Sequence, residues 1–135
     1  MPERFPRGIL DTSVLIDLEK LDASVLPVEV AISSITMAEL SAGPHATDDP
    51  AERSKRLDRL QRVEAVFDPL PFDIEAARAY GRVFAAAMAA GRKARGQRAV
   101  DLLIAAAALS AGLPLFTRNG EDFAALVELV EIVVV

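Results

Sequence analysis

A chain of 135 residues, 52% hydrophobic and 26% charged, is long enough to bury a core and too apolar to be disordered. It has no cysteine and one histidine, His45, which excludes thiol catalysis, disulfides, thiolate metal sites and multi-histidine zinc centres. The net charge of −5 argues against a protein that coats nucleic acid, but not against an enzyme that cuts it, because divalent cations neutralise acid clusters locally.

Chemistry is therefore left to carboxylates, hydroxyls, Arg and Lys. The opening MPERFPRG carries charge and two prolines without an apolar run, so it does not read as a secretory signal. No window is apolar for long enough to span a bilayer. With the missing cysteines, these features predict a cytoplasmic protein with no membrane contact.

In chain order, residues 8–10 read as a short strand that stops on Asp11, Thr12 and Ser13, and residues 14–21 as a helix. Val30 opens a second strand that ends in the hydroxyls of Ser33, Ser34 and Thr36. Residues 36–42 form a short helix stopped by Gly43 and Pro44. After a turn-rich loop holding a solvated His45, residues 51–66 place Leu57, Leu60 and Val63 at helical spacing below a basic outer face. Residues 67–71, apolar but containing two prolines, suit an edge strand. A long helix over 73–90 is capped by Asp73 and has Ile74, Ala77, Phe84 and Met88 on one face. The basic loop GRKARGQR leads into RAVDLLIAAAALSAG, a helix with no charge after Asp101 and so buried on most sides. LPLFT is a buried strand, residues 123–126 a short helix, and VEIVVV a last strand.

Short apolar strands alternating with helices predict one α/β domain over residues 1–135, with a parallel sheet covered on both faces. Ligands of such sheets bind beyond the carboxyl ends of the strands. Asp11 stands at one such end, and Thr117, Asn119 and Asp122 follow another. Glu39 lies on the helix after the second strand, and Asp101 in the first turn of the uncharged helix. Four acids from distant segments can thus meet at one edge, where their repulsion calls for a hard cation such as Mg²⁺ or Mn²⁺.

Each acid also has a plain structural reading. Asp11 can cap the next helix, Glu39 completes a T-x-x-E capping box with Thr36, Asn119 can cap the helix that holds Asp122, and Asp101 suits a helix dipole. Other enzyme classes fit less well. A haloacid-dehalogenase-like phosphatase needs D-x-D where Ser13 stands, and a receiver domain needs a further acid pair and a lysine after its last strand.

GILDTSVLID, SSITMAEL, AVDLLIAAAA and LPLFTRNGEDFAAL, in this order and spacing, resemble the PIN-domain toxins of the VapC type. The resemblance implies a three-layer α/β/α sandwich around a five-stranded parallel sheet. It implies a Mg²⁺- or Mn²⁺-dependent endoribonuclease restrained by a cognate VapB-type antitoxin, and a homodimer within that complex. Carried over by position, Asp11 and Asp101 hold the ion, while Glu39 and Asp122 complete the cluster directly or through water. Thr12, Ser13, Thr117 and Asn119 support it, with Asn119 mainly shaping a turn. Arg92, Lys93, Arg95 and Arg98 read either as a solvated linker or as contacts to RNA phosphates. The alternative function is an inert PIN-like protein-binding module, which loss of an acid would favour.

Overall fold

The first and third strands take the middle of the sheet because their residues, Arg7 apart, are buried on both faces. In the computed structural model, which describes residues 4–135, β1 (Arg7–Leu10), β2 (Glu29–Ala31), β3 (Leu115–Thr117) and β4 (Ile132–Val134) form one sheet in the order β2-β1-β3-β4. Every neighbouring pair is parallel. Consecutive residues point to opposite faces. Ile9 and Leu115 enter one core, and Leu10 and Phe116 enter the other, so the sheet is the middle of three layers. Gly8 is required by this packing: a Cβ there would come within 2.4 Å of the Phe116 ring. Met1, Pro2 and Glu3 of the charged lead lie outside the described residues.

The sheet has four strands where five were expected. The segment around Leu70 does take the fifth place, outside β2, but only as a single parallel bridge to Ser33. Leu70 N–H donates to Ile32 O at 2.9 Å and Ser34 N–H donates to Leu70 O at 2.9 Å. The ladder stops there because α2 begins at Ser34, while Pro69 and Pro71, whose missing N–H groups would face away from β2 in a parallel pair, suit the outer edge.

One face carries α1 (Thr12–Ile16), α2 (Ser34–Ala42) and α3 (Pro50–Val66), and the other carries α4 (Ile74–Ala89) and α5 (Gln97–Ala111). Helix α1 is shorter than residues 14–21. It stops at Ile16, and a separate 3₁₀ turn spans Leu18–Lys20. Residues Gly120–Leu126 likewise form a 3₁₀ helix.

The face of α4 that holds Ile74, Ala77, Phe84 and Met88 is the outer one. Ala76, Ala79, Val83 and Ala87 are buried, whereas Ile74, Phe84 and Met88 are exposed. The reason is α5, whose Ala105–Ala108 run is buried and brings the two helices together through small residues. No helix of the described residues is long and apolar enough to cross a membrane.

Candidate active site

Between β1 and β3 the chain reverses direction across the sheet: β1 connects outward to β2 on one side, while β3 and β4 lie on the other. A crevice opens beyond the strand ends at such a point. Here it is a cleft of about 210 Å³ lined by Asp11, Thr12, Ser13, Ile16, Glu39, Gln97, Asp101, Asn119 and Asp122. All four acids singled out in the sequence face it, and so do Thr12, Ser13 and Asn119. Thr117 lies beneath, fully buried, against Asp11.

Asp11 is the most tightly held of the four. Its Oδ1 accepts from the Val14 N–H at 3.1 Å and the Ser13 hydroxyl at 2.5 Å, and its Oδ2 accepts from the Thr117 hydroxyl at 2.5 Å. The two hydroxyls are themselves oriented by main-chain donors leaving β3. Arg118 N–H donates to Ser13 Oγ at 3.1 Å, and Asn119 N–H donates to Thr117 Oγ1 at 3.0 Å. Asp11 thus does cap α1, as one reading of the sequence had it, and also faces the cleft. Oδ1 is saturated by two donors, whereas Oδ2 keeps a lone pair free.

Glu39 does not form the capping box. The N-cap of α2 is Ser33, which accepts from the Thr36 N–H, so Thr36 is already inside the helix. Freed from that duty, Glu39 reaches across to α1, where its Oε1 accepts from the Thr12 hydroxyl at 2.5 Å. Thr12 Oγ1 lies 3.1 Å from the buried Thr36 hydroxyl, which fixes its orientation.

Asp101 lies one residue further into α5 than expected, because the helix begins at Gln97 rather than Arg98, which leaves its first turn without an acid. The dipole explanation weakens accordingly. Its place on the inner face of an uncharged helix leaves it buried. Burial pushes its pKa up to about 6; the Gln97 hydrogen bond draws it down, while the carboxylates of Asp122, Asp11 and Glu39 push it further up.

Gln97 was missed in the sequence. Its side-chain amide donates to Glu39 Oε2 and to Asp101 Oδ1, each at 3.2 Å. The only local signal is its position four residues before Asp101, on the same face of a helix. Asn119 makes no side-chain cap hydrogen bond; it shapes the turn through its backbone, its carbonyl accepting from the Asp122 N–H at 3.1 Å. Arg92, Lys93, Arg95 and Arg98 do not line the cleft. They precede or enter the first turn of α5, and among the described residues none of them pairs with an acid.

This donor set suits a hard dication. Four carboxylates face one small cleft, and the crowding that raises Asp101 is the repulsion a cation relieves. Among the described residues, no three acids stand close enough to hold an ion by themselves. An ion that keeps several waters, as Mg²⁺ does, reaches the remaining carboxylates through them.

The raised pKa has a consequence for stability. The folded state binds the Asp101 proton more tightly than the unfolded chain, whose aspartate titrates near 3.8. The contribution is fully present below about pH 4 and is lost as pH rises through about 6. In EDTA, the unfolding free energy is expected to fall by about 1–3 kcal/mol over that window relative to Asp101→Asn. Urea titrations of both proteins from pH 4 to 7 check this, and parallel profiles would contradict it.

A PIN-domain family model matches residues 9–129. The chain is 41% identical over 122 residues to the ribonuclease VapC5 of Mycobacterium tuberculosis, covering 88% of this chain and 87% of that one. It is 33% identical over 126 residues to a ribonuclease VapC of Rickettsia bellii, covering 90% and 91%. The structure superposes on the crystal structure of the toxin–antitoxin complex VapBC-5 of M. tuberculosis with a TM-score of 0.84 at 40% identity, over 96% of this chain and 99% of that one. Ribonucleases with PIN domains are generally metal-dependent.

Proposed function

The chain belongs to the PIN-domain family, among the VapC ribonucleases, and from that membership we propose that residues 1–135 form a single-domain toxin that cleaves RNA at Asp11, Glu39, Asp101 and Asp122. The observation that carries the assignment of these residues is their convergence, from four separate segments, on one cleft at the carboxyl edge of the sheet.

With no cysteine and no histidine in the cleft, proton transfer and charge neutralisation cannot come from imidazole or thiolate. A bound Mg²⁺, or Mn²⁺ in its place, supplies a Lewis acid that lowers the pKa of a water and stabilises charge growing on the phosphate. Asp11 offers the free lone pair of Oδ2, held in direction by Thr117 and, through Oδ1, by Ser13. Asp101 offers Oδ2, to which no described residue donates. Glu39, aimed by Thr12, and Asp122 complete the shell directly or through water. Arg92, Lys93, Arg95 and Arg98 hold the RNA backbone at the mouth; their lack of acidic partners among the described residues supports this, since a cleft lined by carboxylates attracts phosphate poorly by itself. Purified protein is expected to cut RNA in Mg²⁺ or Mn²⁺ and to stop in EDTA; cleavage that persists in EDTA refutes the metal site.

The restraining partner is a cognate VapB-type antitoxin, in a complex that also contains a toxin homodimer, in the cytoplasm. A groove of about 260 Å³ between α1 and α3 offers that partner a docking surface. It has an apolar lining of Leu15, Ile16, Leu18, Val63, Val66 and Phe67, joined by the charged Glu19, Arg59 and Arg62. Val66 is 74% exposed there. An amphipathic helix fits such a groove, with an acid toward Arg59, since Arg62 already pairs with Glu19 and Asp58. Ile74, at the start of α4, is exposed as well, and Phe84 and Met88 further along that helix offer an apolar surface for self-association. Val66→Asp is expected to leave the fold unchanged and weaken antitoxin binding at least about tenfold. Copurification of the coexpressed pair measures this, and undiminished recovery would move the contact elsewhere.

A further inference from the structure

Among the described residues, Gln97 is the one side chain that bridges two of the cleft's carboxylates. Its amide nitrogen carries two N–H groups that diverge, and each is spent on a different acid: Glu39 Oε2 from α2 and Asp101 Oδ1 from α5, both 3.2 Å away. The two oxygens are drawn toward one point by a neutral donor, but the divergence of the N–H bonds keeps them apart. A cation held by Glu39 and Asp101 would contact their oxygens at about 2.0–2.1 Å, so it would compete with the amide for them and draw them closer together.

Gln97 itself is free to leave. It opens α5 directly after Gly96, whose φ of +56° belongs to the glycine-favouring region, and the residue is exposed at the cleft's edge. Its side chain makes no hydrogen bond other than the two to the acids among the described residues.

We infer that Gln97 is a positioning residue that stands in for the cation in the metal-free cleft, bridging Glu39 and Asp101, and that metal entry displaces it. The inference rests on the reading of the four acids as a metal site. It makes Gln97 stabilising without metal and competitive with metal, two effects of opposite sign that a merely structural residue does not combine. Loss of a structural support weakens both fold and metal binding, whereas loss of a stand-in weakens the metal-free fold and strengthens metal binding.

Gln97→Met keeps the length and helix preference of the side chain and removes both donors. Gln97→Asn keeps the amide but is one methylene too short to span both acids. In EDTA both variants are expected to melt about 2–5 °C below the wild type. By calorimetric titration with Mn²⁺ both are expected to bind about three- to tenfold more tightly, the equivalent of one net hydrogen bond no longer broken. Mn²⁺ binding unchanged or weakened in Gln97→Met, or an unchanged melting temperature in EDTA, overturns the inference. If wild type binds Mn²⁺ and Asp101→Asn does not, those failures concern Gln97 alone. If wild type shows no saturable Mn²⁺ binding, the metal-site reading falls and the Gln97 inference falls with it.

Discussion

Asp101→Asn is expected to reduce metal-supported RNA cleavage by about a hundredfold or more, since even outer-shell partners of metal ligands typically contribute ten- to a hundredfold. The substitution keeps the size of the side chain and its oxygen acceptor, and removes the charge that a dication needs. It also removes the repulsion with Asp122, Asp11 and Glu39, and it ends the cost of burying a carboxylate on the inner face of α5. The variant should therefore be inactive yet at least as stable as wild type in EDTA at neutral pH. That pairing separates a functional acid from a structural one, because a structural acid would lower both. Asp11→Asn is expected to be equally inactive but less stable. Asp11 is buried and accepts from Ser13, Val14 and Thr117, and an amide turns one of those acceptors into a donor facing a donor. Cleavage assays beside thermal melts read both quantities. Substantial activity in either variant would remove these residues from the site.

The difference between the two aspartates shows what was legible in the sequence and what was not. Asp11 was readable because it interrupts an apolar strand, and the end of a parallel strand is where a crevice forms. Thr117 was readable for the same reason, and Leu10 pairing with Phe116 sets the two residues side by side. The capping readings were harder to judge. Whether Glu39 caps depends on where α2 begins, and the Ser33 cap moves that start upstream of Thr36. The early start of α2 at Ser34 decided how much of a fifth strand could form beside Leu70, and the pattern of apolar residues alone does not place that start. Helical periodicity set Ile74, Ala77, Phe84 and Met88 on one face of α4 without fixing its direction, and an alanine-rich neighbour selects the smaller Ala76, Ala79, Val83 and Ala87 for the inner face. Gln97 had no signal of its own: a glutamine at a helix start gains meaning only once Glu39, remote in sequence, is placed opposite it.

Asp122→Asn is expected to weaken cleavage by about ten- to a hundredfold, the range for a group that acts on the ion directly or through one water, while Asn119→Asp preserves or tightens metal binding. Both residues line the cleft, so lining alone does not choose between them. Charge and freedom do. Asp122 is half-buried, and no described residue donates to its carboxylate, so its lone pairs are available. Of the carboxylates that raise Asp101 it contributes most, which places its charge where a cation between them would be felt. Asn119 is exposed, and its amide oxygen brings no negative charge to a dication. Its structural duty is met by its main chain, whose N–H donates to Thr117 Oγ1 and whose carbonyl accepts from Asp122 N–H, so a carboxylate side chain there leaves the turn as it is. Asn119→Asp adds a charge at the cleft's edge and keeps both of those bonds. The double variant, with the acid moved from 122 to 119, makes the comparison sharper. If the charge need only be somewhere near Asp101, the exchange restores Mn²⁺ binding; if the 3₁₀ helix aims Asp122 at one coordination position, it does not. Calorimetric titration of the four proteins with Mn²⁺ decides, and undiminished binding by Asp122→Asn would take the role from Asp122 and give it to Asn119.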